Sequence, residues 1–265
     1  MTVFEFTLNI AREAGQLIHN ERNSAELTHE YKKGIELVTN ADLMADNLIV
    51  SAIKQQYPDD FILSEESSPE LKNVQNLQAP VWIIDPIDGT VNFAHGHNQS
   101  AVSIAYVSDG QIQHGVVFNP FTDEMFSAEK GKGAFLNGVA ISVAQETELS
   151  RCLIATGFPY DKSTIEPMLT RVNAVLRHCA DIRRLGSAAL DICFVAAGRL
   201  DGYYESLNLW DFAAAQLIAK EAGAQYGHFS PVPAGIDPQF HDNDILVANS
   251  HLFPKLKAIL EEASR

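Results

Sequence analysis

The sequence holds no apolar run near the ~20 residues that a membrane-spanning helix needs, so membrane insertion is not expected. Cysteine is scarce. Cys152, Cys179 and Cys193 make an odd count without the paired spacing of a zinc or redox site, and they are expected to be reduced core thiols of a cytoplasmic protein. Positive charge is also scarce: 19 Lys and Arg stand against 34 Asp and Glu, a formal net charge of −15. Such a surface repels nucleic acid and anionic lipid, so neither is expected as a direct partner. The opening MTVFEFTLNIAREAGQLIHN has acidic residues and helical periodicity where a secretory signal has a basic start and an apolar stretch. Repeats, low-complexity tracts and long linkers are absent.

What is present is an ordinary globular composition, 46% hydrophobic over 265 residues, ample for a packed core. We read residues 1–265 as a single domain with approximate lobes at 1–145 and 146–265. Residues 3–22 form a helix with Phe6, Ile10, Ala14, Leu17 and Ile18 on one stripe. NSAELTHEYKKGIEL follows as a hairpin or mobile loop. A second helix, within VTNADLMADNLIVSAIKQQYP, presents Met44, Leu48, Ile49, Ala52 and Ile53 and ends before Pro58. FILSEES and VWII are strands, and SAVSIAYV and QIQHGVVFNP pair across the Asp109-Gly110 turn. DEMFSAEKGKGAFLNG continues the β pattern. The second half alternates: RCLIATGF a strand, 163–178 a helix, SAALDICFVAAGRL a buried helix, DGYYES a strand, WDFAAAQLIAKEAGA a helix closed by Gly223, and DILVANS a strand before a terminal helix. The expected class is α/β, with sheets sandwiched between helices.

The acidic residues sit at element boundaries, where open α/β folds gather ligands. Asp42 and Asp211 begin helices, Glu65 and Glu66 end a strand, and Asp85 and Asp88 end another. A cluster of carboxylates from separated strand ends suits hard cations such as Mg²⁺, which take oxygen ligands. The metal would also bring positive charge to an anionic substrate in an acidic protein. In WIIDPIDGTVNF, Pro86 restrains the backbone between the aspartates, and the Ile87 carbonyl is a further oxygen. Gly89 permits close approach of a ligand, and the Gly89 and Thr90 amides can face phosphate if Thr90 opens a helical turn. Each feature has a plainer use. Asp42 and Asp211 also suit helix caps, and Asp-Pro and Asp-Gly are common turn dipeptides.

WIIDPIDGTVNF together with WDFAAAQLIAKEAGA resembles the two signature motifs of the inositol monophosphatase family. LVTNAD, LSEES, KGKGAFLNG, RRLGSAALDICFVAAGRLDGYYE and ILVANS extend the resemblance along nearly the whole chain, the RRLGSAA segment being similar to the bacterial branch. The resemblance implies a layered αβαβα sandwich shared with fructose-1,6-bisphosphatase, a homodimer, inhibition by Li⁺ and two or three Mg²⁺ ions. It assigns Glu65, Asp85 and the Ile87 carbonyl to the first ion, Asp85, Asp88 and Asp211 to the second, and Glu65 to a weaker third. Asp42 and Thr90 would act on the metal-bound water. Gly89 and Thr90 would hold phosphate, while Asp88, Ala188, Glu205 and Asp211 would face the substrate. The activity implied is hydrolysis of a small polyol or sugar phosphomonoester, foremost myo-inositol 1-phosphate. Fructose-1,6-bisphosphatase and histidinol-phosphatase activities are the rivals on the same fold. A regulatory binding protein in a transcription or RNA complex is the rival of another class.

The chain departs from the family pattern in three places. Glu205 precedes Asp211 by six residues where the family has seven, Ser64 replaces the glycine of GEES, and the loop lysine aligns as Lys32 or Lys33. Other features are read plainly: His95 and His97 as solvated loop residues, EKGKGAF as a hairpin turn, Arg183-Arg184 as a dimer contact in preference to an anion site, and Trp210 as a core anchor for its helix.

Overall fold

The computed structural model describes residues 1–22, 24–25, 27–32, 36–70, 74, 79–159, 162 and 165–265, with backbone alone at 29, 32 and 36. Helix α1 (Val3–Glu21) starts in a capping box between Thr2 and Glu5 and buries Phe6, Ile10, Ala14 and Ile18. A hairpin of β1 (His29–Lys32) and β2 (Glu36–Thr39) leads into α2 (Asn40–Gln56). The side chain of Lys32 and the whole of Lys33 lie outside the described residues, and with them the loop lysine. On α2 the buried stripe is Ala41, Asp42, Ala45, Asp46, Ile49, Val50 and Ile53. Met44, expected on that face, is 41% exposed. Its side of the helix is turned outward because Asp42 and Asp46 face in and make hydrogen bonds there.

Strands β3 (Phe61–Ser64) and β4 (Val81–Asp88) pair in parallel. The short helix α3 (Thr90–Ala94) follows, and then β5 (Ala101–Ser108) and β6 (Gln111–Asn119). The turn between them has positive φ at both Asp109 and Gly110, the geometry of a two-residue hairpin. β7 (Glu124–Glu129), β8 (Ala134–Leu136) and β9 (Val139–Ala140) complete a seven-stranded sheet in the order β3-β4-β5-β6-β7-β8-β9. The EKGKGAF segment is the β7–β8 turn, and its Gly131 and Gly133 amides donate to the Glu221 carboxylate. The second half runs β10 (Leu153–Thr156), α4 (Ile165–Leu176), β11 (Asp181–Arg183), α5 (Ala188–Ala196), β12 (Gly202–Glu205), α6 (Leu209–Glu221), β13 (Gln225–His228), β14 (Ile245–Ala248) and α7 (Phe253–Ala263). Its five strands form a sheet in the order β11-β10-β12-β14-β13.

The layers follow from side-chain alternation. On β4, Trp82 and Ile84 join the core with α1 and α2, while Val81 and Ile83 join the core with α5 and α6. On β14, Ile245 and Val247 face α5 and α6, while Leu246 and Ala248 face α7. The result is helix, sheet, helix, sheet, helix: the expected αβαβα sandwich. Helix α6 lies between two sheets, so every residue from Phe212 to Ala219 is buried. Its close seat on β6 depends on Gly115, where a Cβ would lie 2.5 Å from the Ala214 carbonyl oxygen.

Three elements differ from expectation. β4 does not stop at Ile84 but continues through Asp88, with its register to β5 shifting between Asp85 and Asp88. Pro86 has no amide hydrogen to donate, so the ladder is interrupted where the strand carries its carboxylates. β11 and β13 were not legible, because short strands at the two sheet edges are held by ladder bonds and carry little pattern. Among the described residues no helix is long and apolar enough to cross a membrane.

Gly115→Ala is expected to push α6 off the sheet and destabilise the fold by about 1–3 kcal/mol, the usual range for overpacking. Urea denaturation checks this; an unchanged midpoint would show that the contact is not tight.

Candidate active site

Parallel pairing brings the ends of β3 and β4 together. The Glu65 amide donates to the Ile84 carbonyl at 3.2 Å, which places Glu65 beside Asp85. Ser64 is buried, and its hydroxyl donates to Asp46 on α2, tying the strand end to the helix. The Asp85 carboxylate accepts from the Ile87 amide at 3.0 Å, which stabilises the kinked backbone. Gly89 then adopts φ +89° and caps α3, and Thr90 opens the helical turn as expected. A Cβ at Gly89 would lie 2.7 Å from the Gln99 carbonyl oxygen, so both the conformation and the space call for glycine.

Asp42 and Asp211 each occupy the third position of their helix. The Asp42 Oδ2 accepts from the Thr39 amide (2.7 Å) and hydroxyl (2.6 Å), while Oδ1 receives the Thr90 hydroxyl at 3.1 Å. Asp211 Oδ2 accepts from the Asn208 amide at 2.9 Å. The plain reading and the chemical one therefore coexist: Asp42 caps its helix with one oxygen and receives Thr90 with the other, and Asp211 caps its helix while presenting an oxygen near Asp85 and Asp88. From the second half, the Ser187 hydroxyl and the Ala189 amide at the start of α5 donate to Asp88 Oδ2.

These residues surround a cavity of about 380 Å³. Asp85, Asp88 and Asp211 each present an oxygen such that all three lie within 4.8 Å of one another. Glu65, Ile87, Gly89, Thr90, Ala188 and Glu205 line the same cavity; Asp42 sits behind Thr90. Glu205 remains on the wall despite its shortened distance from Asp211. Tyr203 donates a hydrogen bond to it, and Gly157 leaves it room: a Cβ there would overlap the carboxylate. The exposed His95 and His97 are not part of the cavity.

Some wall residues were not foreseen. Arg184, expected at a dimer contact, lines the cavity with its guanidinium 5.5 Å from the Phe158 ring. Trp210 packs against the core, as expected of an anchor, and also lines the wall. Ser187 and Asp191 were missed. A serine before a helix and an aspartate within the apolar run SAALDICFVAA were the available signals.

Among the described residues the lining carries seven carboxyl groups and one guanidinium. Burial, then the negative fields of Glu65, Asp88 and Asp211, holds Asp85 well above the usual carboxylate range. Burial and then Asp88 do the same to Asp211. Burial raises Asp88 to about 6 against the pull of Ser187, the Ala188 and Ala189 amides and Arg184. It raises Asp42 to about 6 and Glu205 to about 7. Crowded, oxygen-only donors in want of positive charge fit a hard divalent cation.

The profile of the inositol monophosphatase family matches residues 1–265. The chain belongs to that family. A Nus factor SuhB of Vibrio cholerae is 42% identical over 84% of this chain and 83% of its own length. The crystal structure of the extragenic suppressor protein suhB from Bartonella henselae superposes with a TM-score of 0.89 at 35% identity, covering 98% of both chains. An IMPase of Thermotoga maritima superposes at 0.86 with 33% identity, covering 99% of this chain and 98% of its own. Membership supports a metal-dependent phosphatase acting on a phosphorylated substrate. The name Nus factor gives no support to the expectation, drawn from net charge, that nucleic acid is not a partner.

A carboxyl raised in the fold above its unfolded value of about 4 favours the native state while protonated. Its contribution is present below about pH 4 and lost as pH rises through about 6 to 7. Moving one buried carboxyl from 3.8 to about 6 corresponds to roughly 3 kcal/mol. The protein stripped of divalent ions is thus expected to melt at lower temperature at about pH 8 than at about pH 5, and added Mg²⁺ to reverse the loss at the higher pH. Calorimetric melting with and without chelator tests this; equal melting temperatures with and without Mg²⁺ would count against a cation site.

Proposed function

We propose that the protein hydrolyses a small polyol or sugar phosphomonoester, foremost myo-inositol 1-phosphate, with Mg²⁺. The observation that carries this reading is the convergence of Asp85, Asp88 and Asp211 within 4.8 Å, inside a cavity that also contains the start of α3. In this reading Glu65, Asp85, the Ile87 carbonyl, Asp88 and Asp211 hold two or three cations. When bound, Mg²⁺ supplies positive charge to the phosphoryl group and lowers the pKa of a coordinated water.

The chain's own groups do the positioning. Thr90 has one hydroxyl hydrogen and two acceptors in reach, Asp42 Oδ1 at 3.1 Å and the Ile87 carbonyl at 3.0 Å. Donation to Asp42 leaves the threonine lone pairs to accept a proton of the attacking water. Asp42, raised to about 6, is matched to taking a proton near neutral pH. The Gly89 and Thr90 amides face phosphoryl oxygens. Asp88, Ala188, Glu205 and Asp211 face the polyol. Phosphoryl transfer needs little covalent chemistry from the protein, so placement and charge carry the rate.

A second reading is favoured by the names of the relatives: a binding role in a transcription complex, with or without hydrolysis. The bisphosphatase and histidinol-phosphatase readings remain rivals for the substrate.

With Mg²⁺, phosphate release is expected to be fastest from myo-inositol 1-phosphate in a panel that includes fructose 1,6-bisphosphate and histidinol phosphate. Li⁺ is expected to inhibit it, and a homodimer is expected by sedimentation. Asp85→Asn should abolish turnover, and Thr90→Ala should lower kcat by about 10²-fold with little change in KM. If Asp85→Asn supports cell function while phosphate release is gone, the binding role is the principal one. If the unaltered protein releases no phosphate from any panel member, the phosphatase reading fails.

A further inference from the structure

We propose that Asp191 is a substrate-contacting residue whose carboxyl group, on the cavity wall, accepts a hydrogen bond from a hydroxyl of the polyol part of the substrate. The inference rests on the phosphatase reading and deepens it. Four buried side-chain atoms lack a hydrogen-bond partner among the described residues: Asp191 Oδ1, Tyr204 Oη, Gln216 Oε1 and Tyr226 Oη. Of these residues only Asp191 lines the cavity.

Asp191 is 1% exposed. A buried carboxyl without a donor is a cost that an apolar residue would not incur, and the neighbouring positions Ala189, Leu190 and Ile192 are apolar and fully buried. The packing of α5 therefore gives no reason for the group. Its position does. Asp191 lies three residues after Ala188, so the two share a helix face, and both line the cavity.

The other acidic groups on this side already have donors. Asp88 receives Ser187 and Ala189, and Glu205 receives the Tyr203 hydroxyl. Asp88 and Glu205 add negative potential at Asp191, and Arg184 offsets part of it. A phosphate oxygen would be repelled there. A neutral hydroxyl, small and able to donate, is the chemistry that completes the site. The phosphoryl end of the substrate then lies toward Gly89 and Thr90, and a hydroxylated carbon lies toward α5.

The test compares Asp191→Leu, which keeps the branched shape and removes both acceptors, with Asp191→Asn, which keeps one oxygen. Asp191→Leu is expected to raise KM for myo-inositol 1-phosphate about 10-fold or more, with kcat within a few-fold. kcat/KM for 4-nitrophenyl phosphate, which has no polyol hydroxyls, is expected to stay the same. Asp191→Asn should fall between Asp191→Leu and the unaltered chain. Crystals of the unaltered protein soaked with myo-inositol and inorganic phosphate should show a polyol oxygen within about 3.2 Å of an Asp191 carboxyl oxygen. The proposal is overturned if Asp191→Leu affects both substrates equally or neither. It is also overturned if the variant melts higher with unchanged KM, or if the soaked polyol makes no contact with Asp191. Should Asp191→Leu fail to fold, Asp191→Asn and the soak decide. If the unaltered protein hydrolyses neither substrate, the phosphatase reading falls, and the soak still decides the contact.

Discussion

Keeping several carboxylates together out of water is the constraint around which this molecule is arranged. Asp85, Asp88 and Asp211 repel one another at close range, and burial opposes the charge of each. A flexible chain would let them separate. Here β4 is buried on both faces, its end is clamped by parallel pairing with β3, and α6 is wedged between two sheets. The hydrophobic layers hold the site in a geometry that is unfavourable until positive charge arrives.

The fold reaches this geometry by giving single residues two roles. Asp42 caps α2 with one oxygen and receives Thr90 with the other. Asp211 caps α6 while contributing to the trio. Ser187 begins α5 and donates to Asp88. Because the same side chains end helices and line the cavity, helix placement and site geometry cannot vary independently. That coupling gives the pre-organisation that phosphoryl chemistry calls for.

Much of the architecture was legible because burial on a sheet or helix leaves a period in the chain. The stripe on α1, the Asp109-Gly110 hairpin and the apolar block of α6 all appear where their patterns place them. The stripe of α2 was misplaced toward Met44, because the inward positions are taken by Asp42 and Asp46, which periodicity counts as polar. The edge strands β11 and β13 left no readable period. At the site, the acidic residues were visible as boundary residues, but a capping aspartate and a cavity aspartate look alike in one dimension. Arg184 was read as a dimer contact in preference to an anion site, and charge alone did not say that it also lines the cavity.

The amino-acid sequence by itself determined the composition of the layers, the succession of elements and the supply of oxygen ligands at their ends, because these depend on local periodicity and local turn chemistry. Only the tertiary structure decided that Asp85, Asp88 and Asp211 meet and that Glu205 keeps its place on the wall despite a shorter connection. It also decided that Asp191, whose Oδ1 has no donor among the described residues, lines the same space. Those facts depend on sheet register and on how two sheets clasp α5 and α6, and contacts between residues more than a hundred positions apart leave no trace in local pattern.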